Sequence, residues 1–167
     1  MFNLGKFKPV ERIETPDFIL QKLTPADVER DFATFMSNKD AIKLQRGGVW
    51  PDGTETLEDD KIDLSWHQRE FELGTSFAYQ VVSTDELEMI GCVYFYPPDH
   101  PNNGASQYEP EGIDASVSIW TTEKHFRLGV YDQLYLFTQQ WLKQWPYSNP
   151  HITNLQKPGV AKSTSKL

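Results

Sequence analysis

Apolar residues recur along the chain at two periods, and the points where one gives way to the other mark its elements. Residues 17–23, DFILQKL, set Phe18, Leu20 and Leu23 among polar neighbours at the spacing of a first strand. A helix is predicted at once after it. In TPADVERDFATFMSN, Thr24 suits the cap, Pro25 the first helical position and Asp27 the reciprocal place in a capping box, while Val28, Phe32, Phe35 and Met36 share one face. RGGVWPDGT breaks the pattern as a loop, and the acidic run ETLEDD that follows falls where a helix N-terminus is electropositive. The second helix opened there runs to about Leu73. It carries two apolar stripes, Leu57/Leu64/Phe71 and Ile62/Trp66/Leu73, so it is expected to touch the core on one side and a cleft or a partner on the other.

Beyond it the period shortens. TSFAYQVVS and MIGCVYFYP, joined by TDELE, read as a hairpin with both faces partly buried. Gly91 within the second strand predicts a bulge or a close backbone approach. PPDHPNNGASQYEPEG is an excursion over the surface, IDASVSIWT another strand, and a helix is predicted from about Leu128 to Trp145 with Tyr131, Leu134, Trp141 and Trp145 on its stripe. PHITNL, residues 150–155, makes a last short strand. The order β, α, α, β, β, β, α, β implies one α+β (mixed α/β) domain over residues 1–155, with helices on both faces of a mixed sheet. Residues 156–167 read as a flexible basic tail.

Composition narrows the function classes. At 167 residues with 38% hydrophobic and 13% aromatic content, the chain fits a single globular domain. Sixteen Lys and Arg against 24 Asp and Glu leave a charge of -8, which disfavours nucleic acid as a partner and favours a cationic one. A lone cysteine, Cys92 in an apolar run, excludes an intrachain disulfide and suits a reducing cytoplasm. No apolar run is long enough to span a membrane, the N-terminal residues lack a secretory pattern, and the four histidines show no metal-ligand spacing, so neither membrane nor metal is expected. A Walker loop, a dinucleotide fingerprint and a nucleophile elbow are all absent.

This order and the segments WHQREFELGTSFAYQVV, MIGCVYFYP, IDASVSIWT and YDQLYLFTQQWLKQWPY resemble the Gcn5-related N-acetyltransferase (GNAT) superfamily over roughly residues 15–155, most closely its branch acting on ribosomal-protein N-termini and related amines. The resemblance implies a sheet splayed between its fourth and fifth major strands, with acetyl-CoA as co-substrate and direct transfer from thioester to amine. The pantetheine would pair with the backbone at Ile119, Trp120 and Thr121, and the pyrophosphate would sit on the following loop at Arg127, Leu128, Gly129 and Val130. Small residues there let the backbone approach the phosphates with a helix dipole behind. The family pattern Q/R-x-x-G-x-G/A falls on Phe126, Gly129 and Tyr131, so one of three positions matches and a bulky Tyr131 stands where a small residue is usual. The family's usual closing helix and hairpin also have no counterpart in the last residues, which leaves a sheet edge for a second copy to cover in a possible homodimer.

Transfer needs an uncharged amine, a polarised carbonyl and a proton source for sulfur. Asp114 on the strand that opens the splay is either a proton acceptor or a solvent-facing carboxylate. Tyr94 is a candidate proton donor, and Trp66, Tyr79 and Ser116 are candidate contacts to a small-molecule amine or a peptide N-terminus; each tyrosine is better suited still to core packing. His67 and Glu70 share a helix face that either lines the acceptor entrance or is solvated. The alternative to an enzyme is a non-catalytic relative that keeps the fold as a binding or interaction module.

Overall fold

The computed structural model describes residues 2, 4–47, 50–103, 108–153 and 155; the predicted tail lies outside them. Strands β1 (Arg12–Glu14), β2 (Ile19–Lys22), β3 (Phe77–Val82), β4 (Met89–Tyr96), β5 (Ala115–Thr121) and β6 (Pro150–Thr153) form one sheet in chain order. All neighbours are antiparallel except β5 and β6, which run parallel. Three helices, α1 (Val28–Ser37), α2 (Lys39–Arg46) and α3 (Leu57–Leu73), separate β2 from β3, while α4 (Glu123–Arg127) and α5 (Val130–Leu142) connect β5 to β6. No described helix is long and apolar enough to cross a membrane.

The predicted cap at Thr24 forms, and α3 has caps at both ends. Thr24 and Asp27 make a capping box ahead of α1, Thr56 and Asp59 make another at α3, and Gly74 ends α3 in the left-handed conformation that glycine adopts without a Cβ clash. Three elements escaped the pattern. β1 is only three residues long, α2 buries just Ile42 and Gln45, and α4 is a five-residue helix buried only at His125. The last helix also ends at Leu142 rather than Trp145, although Trp145 remains buried.

Side-chain alternation divides the core between two sheet faces. Val93, Phe95, Val117 and Ile119 pack with Tyr131, Leu134, Trp141 and Trp145 on one, while Cys92, Tyr94, Tyr96 and Trp120 pack with Phe35, Ile42 and Leu64 on the other. Against β3 the register moves from Val81↔Gly91 to Val82↔Met89, which leaves Ile90 as the extra residue of a bulge. Gly91 is required beside it: a Cβ there would lie 2.0 Å from the Trp120 carbonyl oxygen. Both readings of that glycine, bulge and close approach, are realised.

The feature that positions a site is the unequal length of β5 and β6. Their pairing runs from Ala115↔Pro150 to Ser118↔Thr153, and β5 then continues through Ile119, Trp120 and Thr121, paired with β4 on one side and with no described strand on its β6 side. The predicted opening between the fourth and fifth major strands is therefore present.

Candidate functional site

The open edge of β5 presents specific backbone groups. Thr122 N–H donates to the Ile90 carbonyl at 2.9 Å, so by antiparallel alternation the amides and carbonyls of Ile119 and Thr121 face away from β4, into the opening. At Thr121 both groups already have a partner. The Gln45 side chain on α2 accepts from Thr121 N–H at 2.8 Å and donates to its carbonyl at 2.8 Å, so one amide side chain takes the place of a strand residue. Nothing in the local sequence announces Gln45, and its contact spans 76 residues.

The loop after β5 leads to an unobstructed helix end. Thr122 caps α4 by accepting from His125 N–H, and its hydroxyl lies 2.6 Å from His125 Nδ1. Burial lowers the His125 pKa against the opposing charge of Glu88. Gly129, at φ 80°, is the N-cap of α5; as a glycine it brings no capping side chain, and open space lies where a Cβ would stand. The first-turn amides of α5 are the kind of cradle an anion uses. Tyr131 does not obstruct them: its side chain is 1% exposed and packs in the core, with its ring 5.4 Å from Phe126. Arg127 is exposed and ion-paired with Glu123, Lys124 pairs with Glu88 at 2.8 Å, and Asp132 adds a carboxylate in the first turn. Leu128 is exposed and Val130 half-buried.

On the other side of Trp120 lies a cavity of about 390 Å³ between α1–α3, β4 and the loop after it. Tyr94 and Tyr96 form its sheet wall, with their rings stacked 5.8 Å apart, and the Tyr94 hydroxyl accepts from Trp120 Nε1–H at 3.2 Å. Arg46 enters with its guanidinium 4.8 Å from the Tyr94 ring centroid and 5.2 Å from that of Trp50. Glu55, Asp59, Asp60 and Asp63 supply carboxyl groups. Gln45 and Arg46 are consecutive, so the same turn of α2 meets the β5 edge with one residue and the cavity with the next.

The acids in this cavity differ. Asp60 is 5% exposed, has an oxygen without a hydrogen-bond partner, and is pushed up to about 7 by burial and then by the charge of Asp63. Behind it Asp31, in the same hydrogen-bonded pair, is raised strongly by burial and by Asp60. Asp63 accepts from His67 Nε2 at 3.3 Å, and although desolvation opposes it, this contact and Arg46 hold its pKa below the ordinary value. Burial pushes Cys92 and Tyr94 up, so the thiol and the phenol both stay protonated near neutrality.

The predicted site residues separate accordingly. Ile119, Trp120 and Thr121 converge with the Gly129 loop around the opening, and Tyr94 lines the cavity. Asp114 stands before the other end of β5, where its carboxylate accepts from the amides of Ser148 and Asn149 and ties β5 to β6. Seven residue steps at about 3.3 Å each separate it from Thr121, so it serves the sheet and not the opening. Tyr79 is buried on the opposite face, donating to the Val10 carbonyl at 2.8 Å. Ser116 is buried beneath the β4–β5 loop, donating to Glu109 and Asn103. Trp66 is 61% exposed, while its neighbour His67 turns into the cavity; Glu70 instead accepts from Ser76 and contacts His100. The residues missed were Gln45, Arg46, Asp60 and Asp63. Among the described residues no cluster of His, Cys, Asp and Glu could hold a metal ion.

No protein-family profile matches the chain, and no curated protein sequence is similar to it. Solved structures are. The RimL ribosomal L7/L12 alpha-N-protein acetyltransferase in complex with coenzyme A superposes with a TM-score of 0.59 at 16% identity, covering 80% of this chain and 69% of that one. The ribosomal-protein-S5-alanine acetyltransferase from Vibrio fischeri gives 0.59 at 15% identity, covering 80% and 67%. A GNAT-family acetyltransferase from Bordetella pertussis gives 0.58 at 14% identity, covering 81% and 74%. The apo RimL structure matches over 66% of its own length, so the chain spans roughly two thirds of these proteins. At such identities the finding concerns architecture: this chain has the GNAT fold.

Proposed function

We propose that the chain is an acyl-CoA-dependent N-acyltransferase, with acetyl-CoA as the co-substrate and a small amine or a peptide N-terminus as the acceptor. The observation that carries the reading is the β5 edge. Beyond the last β5–β6 pair, the backbone of Thr121, held by the exchangeable Gln45 side chain, faces an opening that leads to the N-terminus of α5, where the Gly129 N-cap supplies no side chain. Acetyl-CoA supplies the thioester. Ile119 and Thr121 pair with its extended arm, and Val130 and its neighbours in the first turn of α5 receive its phosphates, with Arg127 exchanging Glu123 for the anion. The acceptor nitrogen forms a C–N bond as the C–S bond breaks; the amine gives up one proton and the sulfur takes one. Tyr94 is the proton donor of choice because burial keeps its phenol neutral and it borders both the cavity and Trp120. Asp114 has no part in this arrangement.

A second reading draws on a specific observation. Gln45 fills the edge at Thr121 and the loop cations are engaged by carboxylates, as a module that no longer binds coenzyme A would have them. Thermal denaturation with acetyl-CoA separates the two: at a hundred times its dissociation constant, a ligand of the native state adds about 2.7 kcal/mol. A shift that disappears in Gly129→Val supports the transferase, and no shift at millimolar acetyl-CoA overturns it.

A further inference from the structure

The acidic cavity has no role in holding a nucleotide, since an anion entering it would meet several carboxylates and one guanidinium. We infer that it is a selective site for a compact aliphatic amine with two cationic nitrogens, the acceptor of the transferase reading on which this inference rests. The geometry offers two poles. At the buried end, Asp60 and His67 are each 5% exposed, line the cavity and keep one polar atom without a partner, Oδ2 and Nδ1. Buried groups of this kind are costly to leave unmet and are met by a ligand that donates hydrogen bonds. At the outer end stand Asp59, which is exposed, and Asp63, whose side chain is 49% exposed. Asp59 and Asp63 are both held below the ordinary carboxylate pKa.

Charge and shape decide the class. Among the described residues Arg46 is the one basic side chain besides His67 in the lining, so the carboxylates outnumber the cations, and a monoamine would still leave excess negative charge. The rest of the lining is largely aromatic, with Phe35, Trp50, Tyr94 and Tyr96. That Arg46 already stacks its guanidinium on Trp50 and Tyr94 shows that these rings favour a cation, and an alkyl stem joining two ammonium groups would contact them without an unmet polar group. At about 390 Å³ the space lies toward the small end of ligand pockets, roughly 300–1,000 Å³.

The test is calorimetric titration of the chain, without acetyl-CoA, by 1,4-diaminobutane, 1-aminobutane and a short peptide with a free N-terminus. The diamine is expected to bind at least about tenfold more tightly than the monoamine, with an affinity that falls as salt is raised. Asp63→Asn should weaken the diamine about tenfold and leave the acetyl-CoA thermal shift unchanged. Asp60→Asn, isosteric and free of the Asp31–Asp60 repulsion, should do the same. Equal affinity for the two amines, tighter binding of the peptide, or indifference to both substitutions would overturn the inference. Diamine binding without any acetyl-CoA shift would leave the cavity assignment standing and remove the transferase reading instead.

Discussion

Replacing Gln45 by alanine is expected to move stability and cofactor affinity in opposite directions. In the free protein the Gln45 side chain makes two buried hydrogen bonds to Thr121, each 2.8 Å long. At roughly 0.5–1.5 kcal/mol net for each bond, the variant loses about 1–3 kcal/mol. For a chain of this size that lowers the Tm by about 2–4 °C per kcal/mol. The same two bonds, however, stand between an incoming pantetheine and Thr121. With the edge vacated, the ligand gains the pair without first displacing Gln45, and the roughly 1–3 kcal/mol becomes an affinity gain of about 5- to 150-fold. Calorimetry of acetyl-CoA on both proteins reads the affinity, and thermal melts with and without ligand read the stability. A variant that melts lower and binds acetyl-CoA no better, or more weakly, would show that Gln45 is only structural and that the ligand does not pair at Thr121.

Other outcomes follow from individual positions. Gly91→Ala drives a Cβ to 2.0 Å from the Trp120 carbonyl oxygen, so β4 and β5 must part; overpacking of this kind costs about 3 kcal/mol or more and should appear as a fall in urea midpoint. The Cβ of Gly129→Val meets no neighbour, but the residue is strained at φ 80°, by roughly 1–2 kcal/mol; a modest Tm decrease is expected together with loss of the acetyl-CoA shift, and a retained shift would move the phosphate site off this loop. Asp60 is raised to about 7 in the folded chain and lies near 3.9 when unfolded, so the folded form binds more protons between those values. Stability should therefore fall as pH rises through that window, and the dependence should flatten in Asp60→Asn; identical pH curves for the two proteins would contradict it.

How much of this was legible depends on whether the signal was local. The capping box at Thr24 and the close approach at Gly91 depend on near neighbours or on a missing side chain, and they read correctly from the sequence. The acidic run before α3 was read as complementing the helix dipole. That holds for Asp59, which bonds Thr56, but Asp60 turns inward to the cavity, as does Asp63 one turn later. Their direction depends on how α3 is rotated against the sheet, and the apolar stripes describe that rotation poorly: Leu57 is 44% exposed while His67 is buried. Of the candidates on this helix, His67 turns into the cavity and Trp66 stays 61% exposed. Gln45 was beyond reach because a polar residue that completes a distant strand edge leaves no periodic trace. Ser116 lies on β5 and Asp114 just ahead of it, both at the closed end of the strand, where the parallel pairing with β6 occupies it.

The central claim is that acetyl-CoA seats along the β5 edge and on the first turn of α5. Amide chemical-shift mapping of the isotope-labelled chain during acetyl-CoA titration tests it most directly. The account predicts saturable shifts at Ile119, Thr121 and Val130, accompanied by a change at the Gln45 side-chain amide. Shifts confined to other surfaces, or a spectrum unchanged at millimolar acetyl-CoA, would contradict it.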